Sequence, residues 1–386
     1  MRVVLVNPPQ TELRQPRAYI PLGLGYLGAT LEEAGVDVEV LNLAGERDLS
    51  RVNYPKTDWF GVTCTTATYT TVKKLVPYLA SRGLVALGGV QPTLCPQETL
   101  LATNADVVFV GEAEYAFRDA VVGKPPSNQI IQAGLIKNLD ALPFPARHLF
   151  PDSDVVDRTG IHGQEPGVPA TTVITSRGCP YHCRFCCKGH PMFYTYRYRS
   201  ADNVYEELVE IKERYGVEHV RFVDDEFTLN EQRTADLMRR IDPLGLTWVC
   251  ITRADTLTPI MLKLMKKAGC EEVHLGVETG SKWLLDSMNK GMTVEQQLRG
   301  IEMVKAAGIK VKAYLMWNYP GETEADMDAT VEFIRRAQPD KFTLSKFQPL
   351  PGSWISEFVP KGEQWFYPDD DPGFVEFRER IKAALE

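Results

Sequence analysis

Two periods of apolar residues alternate along this chain. Short apolar runs at Arg2–Val6, Val36–Leu43, Trp59–Thr63, Val85–Leu87 and Asp106–Val110 read as strands. Between them the spacing predicts helices over Leu22–Ala34, around Val72–Ser81, in a short piece after Cys95, and from Ala113 onward. Strand and helix in alternation is the rhythm of a doubly wound parallel sheet, so residues 1–125 are expected to form a Rossmann-like domain.

Lys124-Pro125-Pro126, Leu142-Pro143-Phe144-Pro145 and Gly163–Pro169 then break any period, and residues 126–170 read as a linker packed across the domains. From Thr171 the rhythm resumes. Strands are expected at Thr171–Thr175, His219–Val223, Trp248–Thr252, Glu272–Val277, Lys310–Leu315 and Lys341–Lys346. Helical runs Ala201–Tyr215, Asn230–Ile241, Pro259–Ala268, Val294–Ala307 and Glu322–Ala337 separate them. The expected fold is α/β: a Rossmann-like doubly wound parallel sheet followed by a partial (β/α)6 TIM-type barrel over 171–350. Chemistry in such barrels gathers at the C-terminal ends of the strands. Residues 351–386, with Asp369-Asp370-Asp371 and a final helix, read as a solvated C-terminal cap or tail.

Composition narrows the function classes. The 386 residues exceed what one core usually organises, and 44% hydrophobic with 24% charged residues is ordinary for a globular protein. A formal net charge of -8 argues against an extended nucleic-acid surface and favours a small-molecule or peptide substrate. The opening MRVVLVNPPQ is too short an apolar stretch for a signal, and no run approaches the roughly 18 residues of a membrane span, so a cytoplasmic protein is expected. Four of the eight cysteines lie between positions 179 and 187, which fits metal ligation better than disulfides.

Cys179-Pro-Tyr-His-Cys183-Arg-Phe-Cys186 follows the first barrel strand, after Ser176-Arg177-Gly178, at the end where a barrel builds its site. Three soft thiolates within eight residues suit an iron-sulfur cluster or zinc, and three ligands leave one iron of a 4Fe-4S cluster open. A zinc site wants a fourth ligand, for which His182, Cys187 or His190 stand nearby. CxxxCxΦC, with Phe185 before the last cysteine, resembles the signature of the radical S-adenosylmethionine (SAM) superfamily, and the resemblance runs from about Thr171 to Gly352. It implies that the open iron chelates SAM and that Phe185 lies beside this cofactor.

The same resemblance places further SAM contacts at strand ends. Asp224, Asp225 and Glu226 close the second strand as an acidic motif for the SAM amino group, with no one carboxylate singled out; three adjacent acids repel unless a cation or donor is bound. Arg253 closes the third strand and can pair bidentately with the SAM carboxylate, or form a structural ion pair with the acids of the preceding strand end. Glu278, within Gly276-Val-Glu278-Thr-Gly280-Ser281, is a third SAM candidate. Tyr319-Pro320-Gly321-Glu322-Thr323 resembles the family's G-x-PGET turn with Asn318 in place of glycine, a residue that tolerates the left-handed conformation.

In the first domain Gly23-Leu-Gly25-Tyr-Leu-Gly28 matches G-x-G-x-x-G, but about fifteen residues part it from the first strand, against a dinucleotide site. Pro21, Leu22 and Gly23, then Thr65, then Gly88, Gly89 and Gln91, then Gly111 and Glu112, resemble the cobalamin-binding domain that precedes many radical SAM barrels. The D-x-H-x-x-G element that supplies an axial histidine is absent, and Gln91 stands where relatives often carry histidine. With a 4Fe-4S cluster, SAM and cobalamin, the resemblance implies C-methylation of an unactivated carbon. One SAM methylates the cobalamin; a second yields the 5'-deoxyadenosyl radical that abstracts substrate hydrogen. An electron donor such as flavodoxin or ferredoxin is implied. The alternatives are non-methylating radical chemistry, such as cyclisation or rearrangement, and a non-catalytic iron-sulfur or zinc protein. The run Met192–Arg199, with Tyr194, Tyr196 and Tyr198, and the tail after Trp354 are the expected contributors to specificity, the tyrosines fitting a partly buried strand equally well.

Overall fold

The computed structural model describes all residues except 11, 12, 14, 124–128, 188–190, 359–369 and 386. It divides into two compact units, Met1–Ile161 with Pro166–Thr172, and His162–Glu165 with Val173–Glu386. His190, Lys124-Pro125-Pro126 and Asp369 of the sequence reading lie outside the described residues.

In the first unit six strands form a parallel sheet: β1 (Arg2–Asn7), β2 (Asp37–Asn42), β3 (Trp59–Thr63), β4 (Leu84–Gly88), β5 (Val107–Gly111) and β6 (Gln129–Gly134), in the order β2-β1-β3-β4-β5-β6. The helices are α1 (Leu22–Glu33), α2 (Tyr69–Ala80), α3 (Val90–Leu94), α4 (Pro96–Thr103), α5 (Glu114–Val122) and α6 (Asp152–Val155). Parallel strands covered on both faces must be apolar throughout, and Val3 to Val6 are fully buried. Phe60, Val62, Val85 and Leu87 pack with Val72, Leu75, Val76 and Leu79 of α2, each such side chain contributing about 1.5–3 kcal/mol. The glycines of the G-x-G-x-x-G match lie inside α1. A Cβ on Gly25 would sit 2.9 Å from Pro145 Cβ, and one on Gly28 2.6 Å from Leu149, so both glycines serve close packing.

Residues 126–170 are more than a linker. β6 is a sixth strand, α6 is helical, and His162–Glu165 group with the second unit.

The second sheet runs β7 (Ala170–Val173), β10 (His219–Phe222), β11 (Thr247–Thr252), β12 (Cys270–Glu278), β13 (Lys310–Trp317) and β14 (Lys341–Lys346) in sequence order. Pairs from β10 to β14 are parallel, which makes the expected partial barrel. Two short strands, β8 (Ser176–Arg177) and β9 (Arg197–Tyr198), pair antiparallel. The helices are α7 (Ala201–Tyr215), α8 (Glu231–Ile241), α9 (Pro259–Lys267), α10 (Lys282–Ser287), α11 (Val294–Ala306), α12 (Glu324–Ala337) and α13 (Pro372–Leu385).

The tail departs from the solvated cap expected of it. Phe374, Phe377, Ile381 and Ala384 of α13 are buried, Arg380 ion-pairs with Glu324 and Asp328 of α12, and Asp371 accepts the Phe374 N–H at 3.2 Å. Phe374 meets Trp317 edge-on at the end of β13.

Candidate functional site

The cysteine loop leaves β8 and returns through β9. Gly178 has φ +87°, and a Cβ there would sit 2.3 Å from the Thr195 carbonyl oxygen, so only glycine lets the two arms close. The Cys179 N–H donates to the Phe193 carbonyl at 2.9 Å and Cys186 N–H to Cys183 O at 3.1 Å, curling the loop. Of the run Met192–Arg199 only Arg197–Tyr198 is strand, so the three tyrosines do not share one; Tyr198 is 45% exposed, and the Tyr196 and Tyr198 rings lie 5.9 Å apart.

Basic groups surround the loop. Arg253 points Nη1 at Cys183 Sγ at 3.9 Å and lies over the Tyr181 ring at 3.7 Å. Its guanidinium is held bidentately by Asp255 (Nε–Oδ1 2.9 Å, Nη2–Oδ2 2.8 Å) and by the Lys290 carbonyl at 2.8 Å. This corrects the expected ion-pair partner: the guanidinium pairs with Asp255 of its own strand end, while only the Arg253 backbone N–H turns to Glu226, at 3.4 Å. Lys290 is buried with Nζ 2.8 Å from Glu278 Oε1 and 5.6 Å from the centre of the Phe185 ring. Burial lowers its pKa, but Glu278 and Cys183 outweigh that and raise it. Phe185 packs on Leu284, Met288, Tyr319 and Phe347.

The three acids of the second strand end part company. Asp224 is buried and accepts from Thr175 N–H at 3.1 Å, Thr175 Oγ1 at 2.8 Å and Ser176 Oγ, with Arg233 contributing a favourable charge nearby; burial outweighs them and raises its pKa. Glu226 is buried among Thr252 Oγ1, Thr256 Oγ1 at 3.1 Å and Thr228 Oγ1 at 3.3 Å, its pKa raised by burial. Asp225 is half-buried, and with Glu226 its charge adds to the burial that pushes the Cys179 thiol up to about 11. Glu278 ends β12 with φ +65°, at a bulge between Gly276 and Glu278. Asn318 adopts φ +62°, as its place in the turn predicts, and its N–H donates to Glu322, whose carboxyl is pushed up to about 7 by burial.

The donor set fits an iron-sulfur cluster. Three thiols on one glycine-hinged loop face a region where Arg253 and Lys290 can balance anionic thiolates. Among the described residues no three His, Cys, Asp or Glu side chains converge as a single-ion site requires, and the His182 ring lies against Tyr194 at 4.2 Å. Sequence reasoning missed Lys290, Tyr181, Arg233 and the threonines around Glu226, none of which carries a local signal.

In the first unit the strand order reverses between β1 and β3, and ligands of such sheets bind outside the strand C-termini at that switch point. The predicted cobalamin residues lie at those termini. Gly89 has φ 110° and ψ -165°, and a Cβ there would sit 2.7 Å from Cys64 O; beside Gly23 and Gly88 a Cβ would meet nothing within 4 Å. Gln91 is buried with Oε1 unbonded, an acceptor that a ligand could satisfy. Thr65 is exposed, its hydroxyl meeting that of Thr68 at 3.1 Å, while Gly111 N–H donates to Thr93 Oγ1. Pro21 caps α1, followed by Leu22. Glu112 turns to the Ile136 N–H at 2.6 Å. The open glycines and the unbonded Gln91 acceptor fit a large ligand.

Residues 173–334 match the family model described as "Radical SAM superfamily", and residues 17–121 the model described as "B12 binding domain". The chain is 30% identical to the uncharacterized methyltransferase PH0819 of Pyrococcus horikoshii, over 93% of this chain and 83% of that protein. The chain belongs to the cobalamin-dependent radical SAM superfamily. It is a radical SAM enzyme, and the cofactors of this family are a 4Fe-4S cluster, SAM and cobalamin. It is also 24% identical to the anaerobic magnesium-protoporphyrin IX monomethyl ester cyclase of Rubrivivax gelatinosus, over 92% of this chain and 69% of the cyclase. The radical S-adenosylmethionine methyltransferase TsrM from Kitasatospora setae superimposes with TM-score 0.72 at 18% identity, covering 92% of this chain and 73% of that one, which establishes the fold. Among the described residues no helix is long and apolar enough to cross a membrane.

Proposed function

We propose that this enzyme transfers a methyl group to an unactivated carbon of a small-molecule substrate, with Cys179, Cys183 and Cys186 holding the cluster. The observation that carries the reading is the convergence of Arg253, Lys290 and Glu278 on the cysteine loop at the strand ends, in a chain similar along nearly its whole length to a methyltransferase. When bound, the cluster would supply the electron for reductive cleavage of SAM, and cobalamin would supply the methyl carrier. Asp225, half-buried at its strand end, accepts the SAM ammonium. Asp224 and Glu226 hold the strand ends on either side. Arg253, its Nε and Nη2 held by Asp255, offers Nη1 to the carboxylate end of SAM. Glu278 meets the polar ribose edge, tethered by Lys290. Phe185 shields the cluster edge from water. In the first unit Gly23, Gly88 and Gly89 let backbone approach the corrin, and Gln91 replaces the histidine of other cobalamin proteins with a neutral amide. An external low-potential protein such as flavodoxin or ferredoxin supplies the electron.

The test is anaerobic reconstitution with iron, sulfide and hydroxocobalamin, followed by SAM carrying a labelled methyl group and a reductant. Formation of 5'-deoxyadenosine together with label recovered on extracted cobalamin is the expected result. 5'-Deoxyadenosine without label on cobalamin would overturn methyl transfer and favour ring-forming chemistry, the activity named for the similar cyclase.

A further inference from the structure

TIM-type barrels fill their lumen with branched apolar side chains. This one does not. Arg221 on β10 reaches Tyr314 OH on β13 at 3.2 Å, past two intervening strands, and Lys341 on β14 reaches Glu272 on β12 at 2.8 Å, past β13. Contacts over intervening strands are made only on the concave face, so these side chains are in the lumen. Strand alternation puts Lys312 there with Tyr314, and His274 with Glu272.

The protons around Tyr314 have a definite order. His274 Nε2 sits 2.7 Å from Glu272 Oε1, so the ring donates there and its Nδ1 accepts from Tyr314 OH at 2.9 Å. Tyr314 oxygen in turn accepts from Arg221. The relay fixes the guanidinium and uses up the tyrosine proton. Burial lowers the pKa of His274, which keeps the ring neutral.

Among the described residues Arg221, Lys312 and Lys341 share the lumen with the carboxylate Glu272, whose oxygens already meet His274 and Lys341. Lys312 is half-buried and forms no ion pair among the described residues; its nearest named contact is the Tyr314 ring, 5.6 Å away. Burial, with the charges of Arg221 and Lys341, pulls its pKa down despite Glu272. At this end His162–Glu165 lie against β10 and β11: His219 bonds the His162 backbone, and a Cβ on Gly163 would sit 3.0 Å from Val249. Toward the cysteine loop, Gly276 stands beside Tyr314 in register and has no side chain to fill the lumen, so Tyr314 is one step from the Glu278–Lys290 pair.

We propose that Arg221 and Lys312 form an oxyanion site on the lumen floor, which binds a carboxylate or phosphoryl group of the substrate. The anionic end points down and the reacting carbon up, toward the cysteine loop. This rests on the reading that the strand C-termini are the catalytic end, but anion binding is measurable without SAM chemistry.

The experiment is calorimetric titration of the reconstituted full-length enzyme with inorganic phosphate and with acetate, at constant ionic strength set with chloride, with acetamide as neutral control. Saturable binding of at least one anion is expected, weakened at least tenfold in Lys312→Met and unchanged in Lys263→Met, an exposed α9 residue whose loss alters net charge equally. Tighter phosphate binding identifies a phosphoryl substrate; tighter acetate binding, a carboxylate. Lys312→Gln reads the same contrast if the methionine variant does not fold. No saturable binding in the wild type, or equal affinities in the Lys312 and Lys263 variants, overturns the proposal while leaving the labelled-methyl assay to judge the function itself.

Discussion

Asp224 and Asp225 are neighbours in sequence with opposite expected roles. Replacing Asp224 by alanine removes the acceptor for the Thr175 N–H, the Thr175 hydroxyl and the Ser176 hydroxyl. It also removes a negative charge near Arg233, which is 6% exposed and bonded to Thr175 O at 3.1 Å. Leaving buried donors unsatisfied costs about 1–3 kcal/mol each, a large part of a typical total of about 5–15 kcal/mol. Asp225→Asn keeps the shape of a half-buried side chain, and its stability cost should be smaller, about 1 kcal/mol. Its cost falls instead on one charge-assisted hydrogen bond to SAM, about 1.5–3 kcal/mol, or roughly ten- to hundredfold in affinity. Urea unfolding of the apoproteins and SAM titration of the reconstituted enzymes separate the two. Weaker SAM binding in Asp224→Ala at unchanged stability, with Asp225→Asn binding normally, would refute the reasoning.

Three other substitutions test different parts of the structure. Burial pushes His219 down to about 4 from 6.5, so the unfolded chain takes up a proton that the folded one refuses; this contribution is whole above pH 6.5 and falls by about 3 kcal/mol toward pH 4. His219→Gln should flatten that window in urea titrations at successive pH, and an unchanged slope would remove His219 from the account. Gly280→Ala places a methyl 2.5 Å from Phe333 Cβ and 2.6 Å from Ala329 O of α12, costing about 1–3 kcal/mol, which calorimetry reads as a lower Tm. Gly89→Ala, at φ 110°, should lower cobalt retained after gel filtration while the iron content holds; full cobalt retention would argue against that strand end as part of the corrin site.

The strands were legible because parallel, doubly covered strands are continuous apolar runs, and the cysteine spacing carried its own chemistry. β6 was not legible: Gln129-Ile-Ile-Gln132-Ala-Gly134 lies at the sheet edge and is half-exposed, so no apolar run marks it. α10, at six residues, is shorter than two helical turns and gives no period. Lys290 reaches the cysteine loop only through the turn after α10. The lumen charges were hidden differently. His219-Val-Arg221, Glu272-Val-His274 and Lys312-Ala-Tyr314 alternate polar and apolar with period two, the pattern of a solvated face, and only the curling of the sheet turns that face inward.

The two left-handed strand ends show what this curling serves. Of the five non-glycine residues with positive φ among the described residues, Asn104 and Gln338 cap α4 and α12 and Asn289 follows α10, places where that conformation satisfies helix carbonyls. Glu278 and Asn318 have no helix to cap; they end the neighbouring strands β12 and β13. A left-handed residue costs about 1–2 kcal/mol, so each must be held by something else. Lys290 holds the Glu278 carboxylate, and Glu322 takes the Asn318 N–H. The bulge at Glu278 brings its carboxylate beside Gly276, where a Cβ would sit 2.9 Å from Oε1. The conformation that strains the strand therefore sets a carboxylate across the top of the lumen, between the cysteine loop and the cationic floor.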